Sequence, residues 1–169
     1  MTLLHLMLRA ARLDGKTYEY VEADPRRSRD AMIIVLLASI AAAIGSGVTS
    51  VLGIAAVTVA ALLTWGVWVS LTFLIGTTIM AGQETHATIG EVLRTTGFSA
   101  VPGILRVFGF LPAVGGLIFA ASTVWMLLAF VVAVRHALDF TSSGRAVVVC
   151  FLGWLIHAVL FFGFVLSAI

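Results

Sequence analysis

Two ionisable residues, Arg106 and His157, stand inside otherwise apolar stretches of this 169-residue chain, and an ionisable group at membrane depth is a candidate functional site. Arg106 lies five residues before Leu111, about 7 to 8 Å from the end of its segment at α-helical rise. From there it could snorkel to the interface or bond a carbonyl of a neighbouring helix. The lesser alternatives are contact with a partner subunit or a lipid phosphate and, last, a transport path. His157 sits in Gly153-Trp154-Leu155-Ile156-His157-Ala158 with Phe161 and Phe162 one turn on. A neutral imidazole there needs either an interhelical hydrogen bond or a metal. The metal could be that of a haem or a chlorophyll-type pigment, with Gly153 leaving room for a flat ring.

Little else could do chemistry. Beyond residue 30 the only acids are Glu84, Glu91 and Asp139, all in expected loops, so paired-carboxylate catalysis and an intramembrane proton relay lack their groups. There is no phosphate-binding glycine loop with a following lysine, no His-Glu-x-x-His helix, no Cys-x-x-Cys pair and no Gly-x-Ser-x-Gly elbow. The single cysteine, Cys150, excludes an intrachain disulfide and reads as a small apolar residue. His86 and His136 fall in expected loops, where solvation accounts for them. No enzyme, no catalytic residue, no metal site and no cofactor is expected, a pigment or haem on His157 being the alternative.

Composition says what must position these residues. Apolar residues make up 61% of the chain and charged ones 11%, against about half and a quarter in soluble domains, which excludes a soluble globular protein. A net charge of +2 is too small to argue for nucleic acid. Residues 31–81 carry no charge; as one helix they would extend about 76 Å, against a hydrocarbon core of about 30 Å. Two spans are therefore required, broken at Gly45-Ser46-Gly47-Val48-Thr49-Ser50, near 31–47 and 53–81. Gln83 to Glu91 returns the chain to water. Residues 96–134 are apolar apart from Arg106, with a turn expected at Leu111–Gly116. A last span runs from Ala146 to about Ser167. The expected fold is all-α, a bundle of five transmembrane helices in residues 31–169. That count leaves the basic amino-terminal segment, Arg94, Arg135 and Arg145 on one side, the cytoplasmic side by the positive-inside rule, with the carboxyl terminus outside. No secretory signal is expected.

Residues 1–30 form a separate cytoplasmic unit that holds eleven of the eighteen charges. His5, Arg9, Arg12 and Lys16 recur at spacings of four, three and four among Leu3, Leu4, Leu6, Met7, Ala10 and Leu13, the pattern of an amphipathic helix lying in the interface. Asp14-Gly15 is a stop, and Asp24-Pro25 a cap and first-turn pair for the first span. Arg26, Arg27 and Arg29 would then meet lipid headgroups, at about 1 kcal/mol each against an anionic leaflet, or simply set topology; a partner contact is the other option for this basic set. Trp65 and Trp68 lie deep in the second span. Together with Trp125 and Trp154 they are candidates for core packing or partner contact. Ala41 with Gly45, and Gly66 with Ser70, would permit close helix crossing.

Two stretches carry a family resemblance. Gly97-Phe98-Ser99-Ala100-Val101-Pro102-Gly103-Ile104-Leu105-Arg106 is similar to the Gly-aromatic-x-x-x-Pro entry to the third helix of the Yip (Ypt/Rab-interacting protein) family. Trp125, followed by Val131-Val132-Ala133-Val134-Arg135-His136-Ala137-Leu138-Asp139-Phe140-Thr141 and Gly144-Arg145-Ala146, is similar to its fourth helix and the loop into the fifth. The resemblance, to the family's prokaryotic branch, covers about residues 5–169 and implies a five-helix domain without known catalysis. Eukaryotic members are associated with prenylated small GTPases, but their Asp-Leu-Tyr-Gly-Pro motif is missing here, so GTPase binding is not carried over. The combined expectation is a non-enzymatic scaffold or accessory subunit of the cytoplasmic (inner) membrane. It would contact anionic lipids and other integral membrane subunits, for example those of a respiratory or photosynthetic assembly. A small transporter or channel is the rival reading, and a pigment- or haem-binding subunit through His157 the third.

Overall fold

A computed structural model describes residues 1–82, 85 and 87–167, the side chains of 157–167 excepted. Nearly all of the described chain is helical, and no strand occurs among the described residues. Two short helices come first, α1 (Leu3–Ala11) and α2 (Gly15–Ala23), then α3 (Arg27–Gly45) and α4 (Val51–Leu74). α4 ends in a π-helical turn, Ile75–Ile79. After the segment around residue 85 come α5 (Ile89–Ser99), a 3₁₀ helix (Val101–Phe110), α6 (Gly115–Ala137) and α7 (Ser143–Ser167).

The helix ends follow local chemistry. Thr2 and Asp14 accept hydrogen bonds from the backbone N–H groups of His5 and Lys16, the usual N-cap arrangement. Thr88 and Glu91 close a reciprocal capping box on α5, the Thr88 N–H donating to the Glu91 carboxylate at 2.7 Å. The break between α3 and α4 falls in the expected Gly45–Ser50 stretch, and the turn before α6 at Leu111–Val114, where Ala113 takes a left-handed φ of 70°.

The third apolar segment changes helix type midway. Pro102 has no N–H to give to a carbonyl four residues back, and its ring disfavours α geometry in the residue before it. α5 accordingly stops at Ser99 and the chain continues as 3₁₀ helix, longer than such stretches usually run. At a rise of about 2.0 Å per residue, Arg106 lies about 10 Å from Leu111, deeper than α-helical rise implies.

The 3₁₀ segment packs between α3 and α6, while α4 packs on α3 and α7. Its approach to α3 is backbone to backbone. A Cβ on Gly45 would sit 1.7 Å from the carbonyl oxygen of Arg106, and one on Gly115 would sit 2.0 Å from that of Gly109. Only glycine fits at these crossings. Gly66, by contrast, has nothing within 4 Å of where a Cβ would stand, so of the two small-residue pairs only the one ending at Gly45 marks a crossing inside the bundle.

Three helices are long and apolar enough to cross a membrane: Arg27–Gly45, Val51–Ile79 and Gly115–Ala137; Val101–Phe110 and Ser143–Ile156 are shorter apolar helices among the described residues. α3 and α6 are partly covered by their neighbours, whereas only 6% of the most apolar stretch of α4 is buried.

The amino-terminal segment differs from the single striped helix expected. α1 ends at Ala11, Leu13 takes a left-handed φ of 62°, and α2 starts a new direction at Gly15. His5 and Arg9 therefore lie on α1, Arg12 in the turn and Lys16 on α2. Nor does the apolar side of α1 stay free: Leu6 and Ala10 are fully buried in one core with Tyr18, Val21, Ala31, Ile34 and Phe98. The tertiary contacts of Leu6 and Ala10 with the bundle prevail over a continuous helix.

These contacts give a paired expectation. Gly45→Val should lower stability by about 1–3 kcal/mol through overpacking, read as a reduced thermal midpoint of the purified chain in detergent, whereas Gly66→Ala should leave that midpoint unchanged or slightly raised.

Candidate functional site

Two places gather the polar side chains of this apolar molecule. One is the end of the bundle where α2, the start of α5 and the end of α6 meet. Arg94, on α5, is buried at 8% exposure and points at the carboxyl end of α2, its Nε donating to the carbonyls of Val21 and Glu22 at 3.2 and 3.0 Å. A cation at a helix carboxyl terminus satisfies orphan carbonyls and opposes the negative end of the dipole. Tyr18, fully buried, donates its hydroxyl to the Ala10 carbonyl at 3.1 Å, and burial pushes that hydroxyl well above its ordinary pKa. His136 belongs to the last turn of α6, not to a loop. Its ring stacks near Tyr18, with centroids 6.4 Å apart, its Nδ1 lies 3.3 Å from the Glu19 carboxylate, and Gly15 leaves the room it occupies.

Glu22 is the sensitive group here. Burial, reinforced by the carboxylates of Asp139, Glu91 and Glu19 and opposed by Arg94, pushes its carboxyl up to about 7.

The second place is a cavity of about 450 Å³ inside the bundle, bounded by α3, α4, the α5–3₁₀ segment, α6 and α7. Arg106 forms part of its wall, with Trp65, Trp68 and Trp154 and the hydroxyl residues Ser39, Thr64, Thr96, Ser99 and Thr123. The half-buried Arg106 guanidinium donates from Nη2 to Thr123 Oγ1 at 2.8 Å and lies 5.0 Å from the Phe119 ring centre. Trp68 donates Nε1 to the Cys150 carbonyl at 3.3 Å and stacks on Phe130 at 4.3 Å. Among the described residues, Arg106 Nε and Trp65 Nε1 are buried without a hydrogen-bond partner.

The remaining sequence candidates divide. Arg9 is taken up by Asp14, with Nε at 2.6 Å from the carboxylate, and Arg27 by Asp30 at 2.9 Å and by the Tyr20 ring. Arg12, Lys16, Arg26 and Arg29 are exposed. Trp125 reaches across to α1, donating Nε1 to the Ala11 carbonyl at 2.7 Å, while Trp154 is 49% exposed on α7. The side chain of His157, and His86, lie outside the described residues. No group of three or more metal-ligating side chains occurs among the described residues. Arg94 and His136 are the residues that sequence reading passed over. For Arg94 the available signal was an arginine three residues after the capping glutamate of a helix, where an exposed residue would be expected.

A helical body with several helices able to cross a membrane, its polar groups gathered at one end and around one internal cavity, defines a polytopic membrane protein. The model of the Yip1 domain matches residues 13–165, and the chain belongs to that family. No curated protein and no solved structure matches it.

Two outcomes follow for the α2 end. Replacing Arg94 by Met should cost about 1.5–3 kcal/mol, the worth of hydrogen bonds to a charged donor, and should raise hydrogen exchange across residues 15–26. For Glu22, a folded pKa above the ordinary carboxylate value of 4.5 means that the docked state holds the extra proton. Its contribution is therefore full at low pH and is lost as pH rises from about 4.5 through about 7. Exchange protection of α2 should fall across that window, and Glu22→Gln should flatten the dependence.

Proposed function

We propose that this chain is a non-enzymatic, five-crossing protein of the cytoplasmic membrane that acts as a scaffold or accessory subunit, stabilising a larger membrane complex through helix–helix and lipid contacts. The observation that carries this reading is the state of α4. It is apolar on all sides, and Val51, Leu52, Val59, Leu63 and Leu74 are more than half exposed; such a helix is covered only by lipid or by other membrane helices. Gly66 and Ser70 line a shallow groove on it with Leu62, Leu63, Val67 and Leu74. Small residues four apart in such a groove let another helix approach closely.

The crossing number rests on length. α5 and the 3₁₀ helix together extend about 36 Å, enough for a hydrocarbon core of about 30 Å, and α7 has 25 residues. The basic residues support an inside amino terminus, since Arg94, Arg135 and Arg145 then share a side with residues 1–30. In that frame residues 1–30 are a cytoplasmic unit on the spanning body of 31–169. Leu4 and Leu8 of α1 are exposed, which suits a helix lying at the interface, and Arg12, Lys16, Arg26 and Arg29 are free to meet anionic headgroups.

Purification from its own host in mild detergent should bring down a defined set of membrane polypeptides. Gly66→Leu should release them without changing the thermal midpoint, because the position is open in the isolated chain. Migration only as a monomer or self-oligomer would overturn the reading.

A further inference from the structure

The side-chain carboxylates of the described residues have other surroundings than Arg106. Five lie between Asp14 and Asp30, Glu91 stands in the first turn of α5 and Asp139 just past the end of α6. Asp30, in the first turn of α3, stands about 22 Å along that helix from Gly45, the residue against which the Arg106 backbone packs. Among the described residues no acidic side chain forms an ion pair with Arg106.

Its neutral partners are also limited. The Thr123 hydroxyl accepts from Nη2 but gives its own proton to the Phe119 carbonyl, and Nε has no acceptor among the described residues. A half-buried cation with one hydroxyl acceptor and one aromatic face, and with a buried Nε left unpaired, is costly in a low-dielectric surrounding.

The cavity beside it has the complementary shape. Its volume of about 450 Å³ falls in the range of ligand sites, about 300–1,000 Å³. Beyond Arg106 the walls are mostly apolar, with Ala38, Ala42, Met126 and Phe130 facing Trp65 and Trp154, and the Nε1 of Trp65 is a second unused donor. Leu127 and Trp154 line the cavity while remaining exposed, so it communicates with the surface of the bundle. A small free anion would satisfy the guanidinium and leave the apolar walls bare. A neutral acyl chain would do the reverse.

We propose that this cavity binds one anionic phospholipid from the leaflet on the side of the α3–α4 turn, its phosphate accepting from Arg106 and one acyl chain lying along Trp65, Phe130 and Trp154. The site depends on the chain being embedded in a bilayer, but not on its having partner subunits. Lipid binding is read on the isolated chain, so its failure is distinguishable from a failure to find partners.

Native mass spectrometry of the full chain, delipidated in mild detergent and titrated with phosphatidylglycerol, phosphatidylcholine or inorganic phosphate, tests the site. One phosphatidylglycerol should bind about tenfold or more tighter than phosphatidylcholine, as a charge-assisted contact requires, with no binding of inorganic phosphate at the same concentration. Arg106→Gln should remove the preference. Ala42→Phe, which fills the cavity and keeps the arginine, should reduce phosphatidylglycerol binding by a similar factor. Equal binding of the two lipids by the unaltered chain, an unchanged preference in Arg106→Gln, or inorganic phosphate binding as tightly as the lipid would each overturn the proposal. The comparison of ligands on the unaltered chain decides the matter even if a variant fails to fold.

Discussion

The backbone contact between α3 and the 3₁₀ helix governs how the rest of the bundle is arranged. Gly45 lets the Arg106 carbonyl come to the place where a side chain would otherwise stand, and Gly115 does the same for Gly109. In lipid there is little hydrophobic gain from bringing two helices together, so close backbone approach and dispersion contacts must supply the association. Once the 3₁₀ segment is held there, its narrower winding and longer rise set the depth of Arg106 and turn the guanidinium toward Thr123 on α6. The same placement leaves the space between this segment and α4 that the three tryptophans border.

At the other end the molecule solves a different problem. The connection from α2 into α3 would leave carbonyls of α2 buried without donors, and Arg94 reaches across from α5 to supply them. That bond ties the amino-terminal hairpin to the bundle, with Tyr18 and His136 packed beside it. The hairpin is thus part of the same core as α3, α5 and α6. Glu22, crowded by three other carboxylates, is the member of this region that responds to pH.

Much of the architecture was legible beforehand, at particular residues. An uncharged run of 51 residues is too long for one crossing, so a break was required, and Gly45 to Ser50, where glycines and hydroxyl residues interrupt the run, was its weakest point. Leu111-Pro112 ahead of Gly115-Gly116 marked the next turn for the same local reason. The Gly97–Arg106 and Trp125–Ala146 stretches pointed to the family that the match over residues 13–165 shows. Less was legible at the sites. Arg106 stood out because it is charged, but its pairing with Thr123, its 3₁₀ setting and the cavity beside it did not. The stripe through His5, Arg9, Arg12 and Lys16 suggested one helix where there are two, because the burial of Leu6 and Ala10 against distant helices outweighs local continuity.

The sequence by itself determined the solvent this protein requires and where its chain must turn. Both follow from length, hydropathy and the backbone preferences of glycine and proline, which are local properties. Only the tertiary structure decided which faces meet. In a chain so rich in alanine, glycine and leucine, Gly45 and Gly66 look alike, yet one is sealed against a carbonyl and the other stands open. An arginine in a polar segment, Arg94, turned out to be the buried fastening of α2, because its donors find the carbonyls of residues more than seventy positions away. Such choices are made by the fit of surfaces far apart in the chain, and no local periodicity records them.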